Sequence, residues 1–122
     1  MSLLFVYGTL MPGQIRWPLL EPWTVPVHHV RAQVNGHLFD TGFGWPAALF
    51  DTETPNTVPG LAIGLRPSTE TECLALLDEV EGVAARLFDR MAITTTGGDR
   101  CWTYEWLDHT RDFLEIDSWE RP

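Results

Sequence analysis

Thr69-Glu70-Thr71-Glu72-Cys73-Leu74-Ala75-Leu76-Leu77-Asp78-Glu79-Val80-Glu81-Gly82 decides how the chain folds, because it is the one stretch with a clear helical period. Cys73, Leu76, Leu77 and Val80 fall on one stripe with Leu74 on its flank, which predicts an amphipathic helix. Thr69, three residues before Glu72, predicts a capping box, and Glu70 and Glu72 suit the positive end of the helix dipole. Gly82 stands where a glycine ends a helix in the left-handed conformation.

Strand signals surround this helix. Leu3-Leu4-Phe5-Val6-Tyr7 is a continuous apolar run ended by Gly8-Thr9, and reads as a strand buried on both faces. Residues 14–26 are irregular, with a helical turn expected near Ile15–Leu20. Val25 to Phe39 is strand-like, with Gly36 as an expected bulge or bend. Asp40 to Pro46 is a loop, Ala47 to Phe50 a short strand, and Asp51 to Asn56 a turn. Val58 to Leu65 is a further strand whose start Pro59 confines to an edge. After the helix, Arg86–Thr95 and Arg100–Leu107 predict a hairpin across Thr96-Gly97-Gly98-Asp99. The tail from Asp108 to Pro122 is polar, with Phe113, Ile116 and Trp119 as anchors. Short strands around one main helix predict an α+β domain on a mixed or barrel-like sheet.

Length and charge narrow the function. A chain of 122 residues has room for one domain, taken here as 1–122. Eight arginines, no lysine and 17 acidic residues give a net charge of −9, which disfavours nucleic acid and anionic membrane surfaces. No apolar run is long enough to span a bilayer, and the N-terminus does not read as a signal peptide. Two cysteines make no disulfide framework, so the expectation is a reduced, cytoplasmic protein.

Four groups of residues could carry chemistry. In Tyr7-Gly8-Thr9-Leu10 a buried strand runs into Gly-Thr, which lets successive N–H groups turn toward an anion; an ordinary strand end is the plainer reading. In Asp78-Glu79-Val80-Glu81, Glu81 sits at the negative end of the helix among like charges, which pushes a carboxyl pKa upward. A solvated acidic surface is the alternative there. Trp102, Tyr104 and Trp106 share one face of a strand, as core or with Tyr104 in a cavity wall. His28, His29, His37, His109, Cys73 and Cys101 lack metal-ligand spacing, and no nucleophile motif or cofactor fingerprint occurs, so no metal and no cofactor are expected.

Taken together, Leu4-Phe5-Val6-Tyr7-Gly8-Thr9-Leu10, Val34–Asp40 with Trp45-Pro46-Ala47, Leu77–Gly82, Trp102–Trp106 and Ile116–Trp119 resemble the γ-glutamylcyclotransferase-like (AIG2-like) family along nearly the whole chain. The resemblance implies a small mixed-strand β-barrel with flanking helices. It implies a cavity between the Tyr7–Leu10 loop and Glu81. It also implies a reaction: a γ-glutamyl amide or amine cyclises to 5-oxoproline, its own α-amine displacing the amine that is released. Glu81 would be the acid/base, and Tyr7, Gly8, Thr9, Leu10 and Tyr104 would bind the small-molecule substrate. The loop N–H groups would hold either the substrate carboxylate or the oxyanion. Where relatives carry a Tyr two residues before an Arg, Phe88 precedes Arg90. A non-catalytic module binding an amino-acid-like ligand is the competing reading, and a γ-glutamyl lyase of a biosynthetic pathway a third.

Overall fold

The computed structural model describes residues 1–119. Seven strands form one curled, mixed sheet, and two helices flank it. In chain order the elements are β1 (Leu3–Val6), α1 (Trp17–Leu20), β2 (Thr24–Asp40), β3 (Pro46–Phe50), β4 (Thr57–Leu65), α2 (Glu70–Val80), β5 (Phe88–Thr94), β6 (Arg100–Trp106) and β7 (Leu114–Ile116). The strand order is β3-β2-β4-β1-β6-β5, with β7 also beside β2. All neighbours are antiparallel except β1 and β6, which run parallel through Leu4 and Trp102.

The apolar run at the N-terminus lies centrally, as its composition predicts. β1 is sandwiched between β4 and β6, and Leu4 and Phe5 are almost wholly buried. Leu20, Leu38, Val58, Ile63, Leu65 and Leu77 join them in the core. Burying a side chain of this kind stabilises a fold by about 1.5–3 kcal/mol.

Polar pins hold the sheet in its curl. The backbone N–H of Phe50 on β3 donates to Glu105 Oε2 on β6 at 2.8 Å, bridging strands far apart in the strand order. Thr103 Oγ1 donates to the Phe5 carbonyl at 2.9 Å, and the Tyr7 hydroxyl donates to the Tyr104 carbonyl at 2.6 Å. The result is a half-barrel, in keeping with the expected barrel-like sheet.

β2 is long enough to serve two neighbours in turn. From His29 to Asn35 it pairs with β4, and from Gly36 to Asp40 with β3. The register irregularity expected at Gly36 lies instead between Thr24 and His29. Gly36 is the point where β2 changes partner, and a Cβ there would collide with the Leu49 carbonyl. Pro59 does not make β4 an edge strand, since β4 lies between β1 and β2. The proline is tolerated because β1 is in register only with Leu61–Gly64, so Pro59 has β2 alone beside it. The tail gains a strand that its polar sequence hid: β7 pairs Leu114–Ile116 with Leu38–Asp40. Phe113, Ile116 and Trp119 anchor it to the core as expected, and its last three residues lie outside the described residues.

The helix α2 buries Cys73, Leu74 and Leu77. Its start corrects the capping-box expectation. Thr69 ends a 3₁₀ turn, its φ of −125° and ψ of 11° are not the extended backbone of a capping residue, and its hydroxyl makes no cap bond. Its other end follows the sequence. Gly82 adopts φ +69°, Gly82 N–H reaches the Glu79 carbonyl at 3.2 Å, and Val83 N–H reaches the Asp78 carbonyl at 3.0 Å. Those two bonds define a Schellman stop. The turn continues through Arg86 at φ +60°, so β5 begins at Phe88 rather than at Arg86. In the hairpin, Gly98 at φ +95° and bonds between Thr95 and Asp99 close the turn.

Gly82→Ala is expected to lose about 1–2 kcal/mol, the cost of an L side chain in a left-handed backbone. A lower denaturant midpoint with an unchanged slope is the measurement that checks it.

Candidate functional site

Three chain segments converge on one hollow. The end of β1 supplies Tyr7, Gly8, Thr9 and Leu10, the C-terminal turn of α2 supplies Glu81 and Gly82, and β6 supplies Tyr104. The cavity they line measures about 180 Å³. Trp45 and Phe88 form an aromatic wall, packed edge-on at 5.9 Å and backed by Trp106. The structure thus brings together the residues to which the resemblance assigned site roles: Glu81, Tyr7, Gly8, Thr9, Leu10 and Tyr104.

The strand-end loop is shaped by close packing. A Cβ on Gly8 would stand 2.5 Å from the ring of Pro46, so only glycine lets the loop pass beneath β3. The Gly8 carbonyl accepts from Met11 N–H at 3.0 Å and the Thr9 carbonyl from Arg16 N–H at 2.8 Å. Among the described residues the N–H groups of Gly8, Thr9 and Leu10 donate to no protein acceptor. Successive uncommitted N–H groups beside a cavity have the makings of an anion cradle. The Tyr7 side chain has a different place: its hydroxyl is turned to the Tyr104 carbonyl inside the sheet, and burial lifts its pKa well above the usual value.

Glu81 caps α2, and its side chain is only 11 % exposed. Burial raises its pKa above the ordinary carboxylate value, and the nearby Arg16 guanidinium partly opposes the rise. This corrects the sequence argument in its cause. Removal from water is the leading cause of the rise, ahead of any charge effect. Asp78 is engaged elsewhere, accepting from the Tyr104 hydroxyl at 2.7 Å and pairing with Arg90 Nε at 3.2 Å. Arg90 lies 4.9 Å above the ring of Trp102, which is therefore a half-buried platform rather than a cavity wall. Tyr104 does face the cavity, but its hydroxyl is spent on Asp78, and burial with that bond raises its pKa.

Arg16 is the site residue that sequence reasoning missed. It lies in the irregular segment after the loop, where no periodicity marks it. Its backbone bond to Thr9 ties it to the loop, and its Nη1 stands 3.6 Å from Glu81 Oε2. Cys73 and Cys101 are buried, and burial pushes both thiols up to about 11, which leaves almost no thiolate at neutral pH. Among the described residues no three His, Cys, Asp or Glu side chains gather as a metal site, and no helix is long and apolar enough to cross a membrane.

On a curled mixed sheet, a shielded carboxyl and a loop of uncommitted backbone donors line one small cavity. The chain belongs to the γ-glutamyl cyclotransferase, AIG2-like family, whose model matches residues 4–121. It is 32% identical over 128 aligned positions to the γ-L-glutamyl-butirosin B γ-glutamyl cyclotransferase of Niallia circulans, covering 97% of this chain and 75% of that one. Solved structures share the fold. An AIG2-like protein from Mus musculus superposes with a TM-score of 0.64 at 18% identity, covering 98% of this chain and 88% of that one. An uncharacterized protein from Pyrococcus horikoshii gives 0.71 at 17% identity, covering 98% and 89%. The chain is thus an enzyme of the cyclotransferase family.

The raised pKa of Glu81 has a sign in stability. A carboxyl that titrates higher folded than unfolded favours the folded state below the unfolded value, and that contribution is lost as pH rises through the folded one. Glu81→Gln removes the charged form. It is expected to melt higher than the wild type at pH 7.5, with the gain fading toward pH of about 4, near the unfolded glutamate value. Calorimetric melting at the two pH values checks this.

Proposed function

We propose that the chain cyclises a γ-glutamyl amide to 5-oxoproline and releases the free amine, with Glu81 as acid/base. The observation that carries the reading is the meeting, in one small cavity, of a carboxyl withdrawn from water and a loop of uncommitted N–H groups. The attacking α-amine belongs to the substrate, so the enzyme needs no nucleophile of its own. The substrate class also suits the family and the Niallia relative, whose name specifies a γ-L-glutamyl compound.

The step order follows from proton bookkeeping. The α-ammonium must lose a proton before its lone pair can attack, and ionised Glu81 takes it. The C–N bond of the ring forms, and the γ-carbonyl oxygen gains charge that backbone N–H groups can receive. Glu81 then returns the proton to the departing nitrogen as the old amide bond breaks, and the second proton, left on the ring nitrogen by the attack, passes to the freed amine, which departs as an ammonium. Burial suits the carboxyl to both halves, since it holds protons more tightly than a solvated one. Folding the flexible substrate for ring closure is the other contribution, worth up to about 7–11 kcal/mol in well-oriented systems.

Glu81→Gln keeps the shape and removes the proton carrier. Its kcat for 5-oxoproline release is expected to fall by roughly 10²- to 10⁴-fold, while calorimetry shows 5-oxoproline still binding. In the wild type, kcat/KM should rise with pH as Glu81 ionises, at a pH above the ordinary glutamate range. That acid limb should be missing from the residual activity of the variant. Wild-type turnover in Glu81→Gln removes Glu81 from the role. A protein that binds γ-glutamyl amides yet forms no 5-oxoproline is the binding module instead.

A further inference from the structure

Arg16 lines the cavity, yet its guanidinium makes no hydrogen bond among the described residues. Its side chain is 36 % exposed, and its one charged contact among the described residues is Glu81 at 3.6 Å, longer than a charge-assisted hydrogen bond. Its backbone is fixed to the loop through Thr9, so the side chain springs from a defined point at the rim. A planar fork of five donors with nothing bonded to it matches a carboxylate. In a chain of net charge −9, such a cation is also what an anionic ligand needs to approach at all.

We propose that Arg16 is the substrate-binding residue for the α-carboxylate of the γ-glutamyl group, leaving the N–H groups of Gly8, Thr9 and Leu10 to the oxyanion. The inference rests on the cyclisation proposed above and assigns the two anions of that reaction to two places. The α-carbon of the substrate bears an ammonium and a carboxylate side by side. The cavity presents the complementary couple, Glu81 beside Arg16. When the ammonium meets Glu81, the glutamate charge is drawn from Arg16, and the substrate carboxylate replaces it. Each of the four charges keeps an opposite neighbour through this exchange. The γ-carbonyl, curling back toward the amine, is then free to turn toward the loop.

The test compares two substrates differing only in that carboxylate: γ-glutamyl-methylamide and 4-aminobutanoyl-methylamide. The first closes to 5-oxoproline, the second to 2-pyrrolidinone, and both release methylamine. The wild type should favour the first in kcat/KM by roughly 10- to 100-fold, the usual weight of a charged hydrogen-bonded pair. Arg16→Gln should shrink that preference to a few-fold, and Arg16→Lys should restore part of it. Loss of Arg16 also alters the ionisation of Glu81, but this acts on both substrates alike and cancels in the ratio. Calorimetry with 5-oxoproline and 2-pyrrolidinone reads the same preference without turnover, so a protein that fails to cyclise anything still tests Arg16. The assignment is overturned if Arg16→Gln weakens both members of either pair equally. It is overturned too if that variant keeps the α-carboxylate preference and loses instead a preference for γ-glutamyl-glycine over γ-glutamyl-methylamide.

Discussion

One carboxyl held out of water within reach of a single guanidinium is the constraint on which the site is built. In water the Glu81 side chain would be an ordinary acid. Inside the cavity its charged form loses hydration that Arg16 only partly replaces. The fold must therefore hold the side chain in place by other means. It does so with the Schellman turn at Gly82, which ends α2 and fixes Glu81 as its C-cap. The destabilisation of one group is carried by the packing of Leu74 and Leu77 below it.

The opposite wall is set by the sheet. β1 is central, so its end is as firmly placed as any part of the molecule, and the loop that follows inherits that precision. Gly8 passes under Pro46 because it has no side chain, and Tyr7 turns inward to the Tyr104 carbonyl, which leaves the backbone of the loop to face the cavity. Asp78, Tyr104 and Arg90 form a bonded group behind Glu81. They connect α2 to β5 and β6, which ties the end of the helix to the sheet. Phe88 belongs to the aromatic wall with Trp45 and Trp106.

Local patterns were legible where a local cause produces them. The apolar run of β1, the period of α2, the left-handed Gly82 and the Gly-Gly hairpin each follow from neighbouring residues, and each appears in the structure. Misreadings arose where a distant partner decides. Thr69 and Glu72 have the spacing of a capping box, but the 3₁₀ turn from Pro67 sets a backbone that excludes it. Pro59 signals an edge, and only the short reach of β1 shows how a central strand can hold it. Leu114–Ile116 carries no strand pattern of its own; the free side of β2 makes it one.

The site divides along the same line. Residue type and spacing offered the Tyr7–Leu10 loop and Glu81 as candidates beside the plainer readings of a strand end and a solvated acidic surface, and the resemblance to the family gave them their expected roles. The cause of the raised Glu81 pKa, the commitment of Tyr104 to Asp78, and the presence of Arg16 beside the carboxyl came only with the tertiary structure. Helical period and turn chemistry act over a few residues and can be read in order along the chain. Desolvation and ion pairing depend on which surfaces meet, and 65 positions separate Arg16 from Glu81 until the sheet curls and brings them together.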